Sequence, residues 1–319
     1  MIRIKEVTNM PRFKSTIIEE NPSIELGTLC KAIFDLARKL LSFLSISSVF
    51  IGSAGFFKTY IGYILLGMIP NISVCFAVFL VCFSVYTIDK IADLDKDVIN
   101  MPSRVRFLQG RKNLAIACAA LAYLLSIIII FIEKPNASLF LLIPIAVNAI
   151  YGTRLIPGLP RLKDIPVMKN FIVAFTWALV TIMIPAAFLS HPQAGTFSVL
   201  TFAVFYFMLM KTFIDTVLYD IRDEPGDRVN NVRTIPVLTG SKKTTEILLI
   251  LNTTLLLVLP WFEGLSRLLV LVLTIYGYGY IFYFRERRDP LALDLCVEGE
   301  CMLASLFLIG ILDNLNAIW

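Results

Sequence analysis

The stretch VYTIDKIADLDKDVINMPSR, residues 85–104, places four aspartates directly behind an apolar run that ends a predicted membrane span. Three of them, Asp89, Asp93 and Asp97, are four residues apart, which puts them on one face of a helix. Asp95 points elsewhere, and we expect solvent around it. Like charges one helical turn apart repel each other, and a carboxylate beside a membrane is costly. This row of acids therefore predicts a bound positive partner.

Long apolar runs separated by short charged connections make up most of the remaining chain. Of the 319 residues, 57% are hydrophobic and 17% are charged, whereas soluble domains carry about 25% charged residues. Runs of about 20 apolar residues match the hydrocarbon thickness that a helix must cross. We therefore predict an all-α, polytopic membrane protein with nine spans, at about residues 40–57, 69–88, 114–132, 137–153, 170–190, 196–218, 245–262, 265–284 and 296–317.

Two regions of different composition follow from this pattern. Residues 1–36 are polar and mixed in charge, and we assign them to a cytoplasmic segment. Residues 37–319 form the nine-span domain. The amphipathic pattern of residues 24–40 predicts a helix lying on the inner membrane surface.

Basic residues are segregated between the two sides of the predicted spans. With the amino terminus inside, the inner tail and loops hold 25 of the 29 Lys and Arg residues. The outer side holds Lys58, Lys134 and Arg267, and Lys211 lies within a span. By the positive-inside rule, the amino terminus and the acidic loops are cytoplasmic and the carboxyl terminus is outside. The net charge of +5 thus reflects orientation, and we expect no nucleic-acid partner.

A second group of acids follows another predicted span on the same side, in DTVLYDIRDEPGDRVNNVRTIPVLTG, residues 215–240. Asp223 and Asp227 repeat the four-residue spacing, and Asp220 lies about one turn before Asp223. The pair Pro225–Gly226 predicts that the helix ends here, which would leave Asp227 in a turn.

Two acidic groups of the same form predict a shared magnesium site. Helix capping and neutralisation of nearby lysines would explain one acidic loop, but repetition at two helix ends favours a positive ligand. Carboxylates and water suit Mg²⁺, and these carboxylates are too few to enclose it alone. We therefore expect Mg²⁺ to be shared with a substrate diphosphate. Cationic side chains on the same side would bind its outer oxygens, and our candidates are Arg104, Lys163 and Lys169.

At these residues the sequence resembles the UbiA superfamily of intramembrane prenyltransferases. The pattern DxxxDxxxDxxNxPxR, from Asp89 to Arg104, is similar to the first aspartate-rich motif of that superfamily. The segment DIRDEPGDRVNNVRTIPVLTG, residues 220–240, is similar to its second motif, usually DIxDxxGDxxxGxxTLPVxxG. The segment from Tyr151 through RLKDIPVMKN is similar to the inner loop between them. The resemblance covers predicted spans 2 to 6.

The resemblance implies a fold, a reaction and a set of site residues. The fold would be a helical barrel around a central cavity, with two Mg²⁺ ions and an opening toward lipid. The reaction would transfer a prenyl group from a prenyl diphosphate to an aromatic or lipid acceptor. The implied metal ligands are Asp89, Asp93, Asp97, Asp223 and Asp227. The implied diphosphate-binding residues are Arg104, Lys163, Lys169, Tyr151, Asp220 and Arg228, supported by Asn100 and Asn170.

Four positions depart from the superfamily pattern, among them Val105, which stands after Arg104 where Pro is common. Asp89 stands where Asn is usual but still offers an oxygen ligand, Tyr219 stands where many members have Lys, and Asn231 replaces a common Gly. These departures keep the reaction class and leave the acceptor open. Aromatic rings that could stabilise an allylic cation through their π faces are Phe83, Tyr151, Phe171, Trp177 and Phe213.

An ion-coupled transporter is the competing prediction, with the acids as its ion site. Transporter sites usually lie near the bilayer midplane, whereas these acids follow the inner ends of spans. A catalytically silent homologue fits less well, because both aspartate groups are intact. No general base stands out, since the only histidine, His191, lies in an outer connection. The sequence assigns no role to Glu298 and Glu300.

Overall fold

The computed structural model describes residues 22–95, 98, 101–152, 165–189 and 198–316. Within these ranges the side chains of residues 28–147, 165–189 and 198–310 are described. All regular structure in this part of the chain is helical, as predicted. The chain forms two compact units, Met1–Leu41 and Ser42–Trp319. The predicted helix at residues 24–40 lies within helix α1, Pro22–Ile46, and its place on a membrane surface stays a prediction.

The second unit is a bundle of helices. Its first half contains α2 Val49–Leu65, α3 Ile72–Ala92, α4 Pro102–Gln109, α5 Lys112–Glu133 and α6 Leu142–Gly152, the last entered through a 3-10 segment, Pro135–Leu141. Helices α2, α3 and α5 pack against one another.

The second half of the unit continues this arrangement. It contains α7 Met168–Ala186, α8 Val199–Val229, α9 Ile235–Thr239, α10 Ser241–Trp261, α11 Gly264–Phe284, α12 Pro290–Leu293 and α13 Glu300–Asn316. A π-helical turn interrupts α7 at Leu179–Met183, and another, Asp294–Glu298, joins α12 to α13. Helix α8 is the longest and packs against α7.

The prediction of a polytopic, all-α membrane protein is confirmed. Six described helices are long and apolar enough to cross a membrane. A seventh span results if Thr28–Ile46 and α2 are two parts of one broken span. Two shorter apolar helices, Pro135–Val147 and Glu300–Gly310, lie where the fourth and ninth spans are predicted. The count of nine stays a prediction.

A break in the helix falls inside the predicted first span. Residues 40–57 cross a break at Ser47 and Ser48, where Ser48 has a left-handed φ of 65°. The buried Lys90 of α3 donates to the carbonyl oxygens of Ser45 (2.9 Å) and Ile46 (3.3 Å). A cation at the carboxyl end of a helix stabilises exposed carbonyls, so α1 ends here and the next helix begins at Val49.

Helix α8 runs through Pro225, so the predicted helix end at this residue is wrong. Pro225 has no N–H for the carbonyl of Ile221, one turn earlier. The Nε of Arg288 donates to that carbonyl oxygen at 3.2 Å, and an Arg288 Nη binds the Glu224 carboxylate at 2.7 Å. Because this partner replaces the missing bond, α8 continues to Val229 and Asp227 belongs to the helix.

Glycines on α2 allow its neighbours to approach closely. A Cβ at Gly52 would lie 3.1 Å from the Phe79 ring of α3. A Cβ at Gly62 would lie 3.0 Å from the carbonyl oxygen of Thr181, in the π-helical turn of α7. Small residues at a membrane helix interface permit such contacts. The small residues of this segment therefore set the distance between α2 and both neighbours.

We expect the substitution Gly62→Ala to destabilise the protein, because the Thr181 carbonyl belongs to the backbone and cannot rotate away. Overpacking costs about 1–3 kcal/mol, so the apparent Tm in detergent should fall by about 3–8 °C. Gly279→Ala is the matched control, since a Cβ there meets no atom within 4 Å. An unchanged Tm for Gly62→Ala would contradict this packing.

Candidate active site

A cavity of about 1230 Å³ lies among α2, α3, α6, α7, α8 and the turn before α13. Five of its acids belong to the two predicted motifs: Asp89, Asp93, Asp220, Asp223 and Asp227. Three more, Asp215, Asp294 and Glu298, come from outside the assigned site. The cations that line it are Lys58, Lys90, Arg104, Lys169, Arg222 and Arg233. The cavity therefore contains the chemistry of a site for a charged ligand.

The first aspartate motif reaches the cavity through the end of α3. Asp89 lies in the last turn of the helix, and the N–H of Asp93 still donates to the Asp89 carbonyl oxygen at 3.0 Å. The two carboxylates thus keep the predicted one-turn spacing, although the helix itself ends at Ala92. Asp97 and Asn100 lie outside the described residues. Asp95 is exposed and does not line the cavity, as expected.

The second motif lies on one continuous helix instead of a helix and a turn. Asp223 accepts two hydrogen bonds from Arg222, at 2.8 and 2.7 Å. Asp227 has a buried Oδ2 with no hydrogen-bond partner in the described part of the chain. Since a buried carboxylate oxygen without a donor is costly, this atom is suited to a cation.

Asp220 holds two residues of the first turn of α7 in place. Its Oδ1 accepts from Lys169 at 2.8 Å, and its Oδ2 accepts from the Asn170 amide at 2.9 Å. Asp220 is buried, whereas Lys169 is about one-third exposed. The carboxylate therefore fixes Lys169 at the cavity wall, and Asn170 supports the same contact.

Of the other predicted diphosphate ligands, some line the cavity, one does not, and some are not described. Arg104 lines the cavity from α4. Arg228 is 56% exposed, pairs with Glu224 at 2.8 Å and does not line the cavity, so the structure does not bring it to the other candidates. Tyr151 lies in the last turn of α6, and its side chain is outside the described residues. Lys163 and His191 lie outside the described residues.

Of the predicted aromatic candidates whose rings are described, one lines the cavity. Trp177 of α7 does so and stacks on Tyr86 of α3, with ring centroids 5.4 Å apart. The described rings of Phe83, Phe171 and Phe213 are not part of the lining. Trp177 and Tyr86 together form an aromatic wall.

Asp294 was missed by the sequence analysis. Its carboxylate accepts from Tyr219 at 3.0 Å and from Ser45, and it lies 4.0 Å from Arg222. Tyr219, at the position where the superfamily often has Lys, thus joins α8 to the turn before α13. The sequence does show an acid directly before the last apolar run. That this acid faces the cavity follows only from its contacts with residues far away in the sequence.

Lys58 lies within a helix, whereas the prediction placed it in the connection after the first span. It lies within α2, lines the cavity, and its Nζ is 3.0 Å from Asp215 and 3.2 Å from Glu298. Its side chain is only 11% exposed. The predicted span ended at residue 57, whereas α2 continues to Leu65, so Lys58 belongs to the helix.

Asn231 explains one departure from the superfamily pattern. Its φ of 55° is left-handed, a conformation that glycine adopts freely and that asparagine tolerates better than most residues. The replacement of glycine by asparagine therefore preserves the backbone path after α8.

The donor set fits a divalent cation that shares its ligands with a substrate. All predicted ligands are carboxylates, and oxygen ligands suit Mg²⁺. In the described residues no three acids, cysteines or histidines are close enough to hold a metal ion by themselves. Substrate oxygens and water would have to complete the coordination.

Comparison with known sequences finds relatives of this chain. A protein of Sulfolobus acidocaldarius named digeranylgeranylglyceryl phosphate synthase is 31% identical over 183 residues, which cover 57% of this chain and 62% of that protein. A protein of the same name from Sulfurisphaera tokodaii is 28% identical over an equal length. The match thus spans less than two thirds of each relative.

A solved structure gives the fold independently. The apo structure of a UbiA homologue from Aeropyrum pernix K1 superposes with a TM-score of 0.57 and 15% identity, covering 82% of this chain and 98% of that chain. The sequence profile of the UbiA prenyltransferase family matches residues 41–296, about four fifths of the chain. The chain belongs to the UbiA prenyltransferase family.

Proposed function

We propose that the protein transfers a prenyl group from a prenyl diphosphate to an acceptor inside the membrane, in a Mg²⁺-dependent reaction carried out by residues 37–319. One observation carries this proposal. Two aspartate groups from α3 and α8 line the same cavity as Lys169 and Arg104, among helices apolar enough to cross a membrane. This combination suits a substrate with a charged head and an apolar tail.

Two metal ions would be held by the aspartates. Asp89, Asp93 and Asp97 would contribute to one ion, and Asp223 and Asp227 to the other. Enzymes of the UbiA family are generally metal-dependent. When bound, the ions neutralise the diphosphate and make it a better leaving group.

The cationic side chains would bind the outer oxygens of the diphosphate. Lys169 is fixed by Asp220, so little conformational entropy is lost when it meets the substrate. Arg104 offers a planar fork that matches phosphate geometry. Both would stabilise the charge that develops as the bond between C1 and the diphosphate oxygen breaks.

The cavity wall would protect and stabilise the prenyl cation. The π faces of Trp177 and Tyr86 attract positive charge, and burial strengthens this attraction. Apolar lining residues such as Val85 and Val173 exclude water, which would otherwise capture the cation.

The names of the relatives suggest the substrates. We propose that the donor is geranylgeranyl diphosphate and that the acceptor is a glyceryl phosphate already carrying one geranylgeranyl group. An aromatic acceptor is the second candidate to be tested. The ion-coupled transporter is not favoured, because the chain belongs to a family of prenyltransferases. The basic residues beside both motifs favour a cytoplasmic active site.

We expect Asp93→Asn and Asp223→Asn to abolish magnesium-dependent pyrophosphate release from geranylgeranyl diphosphate. Each removes a charged metal ligand, and the rate should fall by roughly 100-fold or more. Asp95→Asn is the matched control, because Asp95 is a neighbouring but exposed acid outside the cavity lining. The assay uses purified protein with the proposed lipid acceptor, an aromatic acceptor or neither, and mass spectrometry of the product. Release that needs no Mg²⁺ or survives both substitutions would refute the proposal.

We expect Lys169→Gln to raise the KM for the prenyl diphosphate, because a charge-assisted hydrogen bond to the diphosphate is lost. The loss in kcat/KM should be about 10- to 100-fold. Lys242→Gln serves for comparison, since Lys242 is exposed and outside the cavity lining. Equal kinetic constants for the two variants would show that Lys169 does not bind the diphosphate.

A further inference from the structure

A second group of charged residues lines the cavity at a distance from the aspartates of the two motifs. Lys58 binds Asp215 at 3.0 Å and Glu298 at 3.2 Å, and all three residues line the cavity. Asp215 precedes Asp223 by eight residues, which separates them by about 12 Å along the helix axis. The proposed metal and diphosphate sites use none of these three residues.

This group presents a net negative charge to the cavity. Lys58 offsets one of the two carboxylates of Asp215 and Glu298. Behind them, Lys211 and Glu300 form a separate buried pair at 2.7 Å that does not line the cavity. An anionic diphosphate is repelled from such a surface, whereas a carboxylate that accepts a proton is favoured there, because negative neighbours disfavour its charged form.

Of the two carboxylates, Glu298 has the oxygen that can receive a proton. Asp215 accepts from Lys58 through Oδ2 and from Tyr280 through Oδ1, at 3.3 Å. Glu298 meets Lys58 through Oε2, and within the described residues its Oε1 has no hydrogen-bond donor. The residue is 6% exposed and reaches the cavity.

The backbone holds Glu298 in this position through a π-helical turn. The N–H of Gly299 donates to the Asp294 carbonyl oxygen at 3.2 Å. A Cβ at Gly299 would lie 2.0 Å from the Leu295 carbonyl oxygen, so the turn requires glycine here. Asp294 and Glu298, at the two ends of this turn, both line the cavity. Turns of this kind occur often at functional sites.

We propose that Glu298 is the general base that accepts the proton of the attacking acceptor hydroxyl, with Lys58 and Asp215 positioning its carboxylate. This role rests on the proposed transfer reaction. As the bond between C1 and the diphosphate oxygen breaks, its electron pair leaves with the diphosphate. The hydroxyl oxygen forms the new bond to C1, and its proton passes to Oε1 of Glu298. Glu298 then releases the proton to water after the product leaves.

The test compares two acceptors that differ in their need for a base. One is synthetic geranylgeranylglyceryl phosphate, and the other is its analogue with the attacking hydroxyl replaced by a thiol. A thiol loses its proton far more readily than an alcohol, and part of it is thiolate at about pH 8.5, so the thiol acceptor depends much less on a general base. Geranylgeranyl diphosphate is the donor in both assays.

We expect Glu298→Gln to lower kcat with the alcohol by about 100-fold, the size of a general-base contribution. The KM for the donor and kcat with the thiol should stay within about threefold of the native values. Glu300→Gln is the matched control, a buried glutamate two residues away that does not line the cavity. It should leave the ratio of alcohol to thiol rates unchanged. Tm is measured for every variant.

Two outcomes would overturn the role of Glu298. One is a native kcat with the alcohol for Glu298→Gln. The other is an equal loss of kcat with the alcohol and with the thiol, which indicates a structural role. If Glu298→Gln does not fold, the double variant Lys58→Gln with Glu298→Gln keeps the net charge of the group and is judged by the same results. No transfer by the native protein with either acceptor would instead refute the proposed function.

Discussion

Pairing of buried charges between helices is the constraint on which this structure depends. Lys58 of α2 is held between Asp215 of α8 and Glu298 beside α13, and Lys211 of α8 binds Glu300 of α13. Removing one partner of a buried pair costs about 3–5 kcal/mol, because the other charge remains buried. These contacts therefore fix the register of α2, α8 and α13, and with it the width of the cavity that they surround.

The same constraint gives the cavity two chemically different regions. At one, the aspartates of α3 and α8 lie near Lys169 and Arg104, a composition suited to a diphosphate with metal ions. At the other, the paired group around Glu298 carries an excess of negative charge. A substrate with an anionic head has one favourable orientation in such a cavity. The separation of these regions accounts for both the proposed donor site and the proposed proton acceptor.

The local parts of this arrangement could be predicted from the sequence. The one-turn spacing of Asp89 and Asp93 depends only on helix geometry. Asp227 was expected in a turn, and its place on α8 one turn after Asp223 depends on the extension of that helix. The extension of α8 could not be predicted, because the Arg288 that replaces the missing Pro225 bond lies 63 residues later in the chain. Lys58 was misplaced for a related reason: the break at Ser47 and Ser48 is stabilised by a side chain of α3. In both cases the helix boundary depends on a side chain that lies far away in the sequence.

The most direct test of this account is a crystal structure with Mn²⁺ and the unreactive donor analogue geranylgeranyl S-thiolodiphosphate, with the metal located by its anomalous scattering. We predict two metal ions, one beside Asp89 and Asp93 and one beside Asp223 and Asp227, with the diphosphate between them and Lys169 in contact with it. A diphosphate bound away from these aspartates, or metal ions at other residues, would contradict the account.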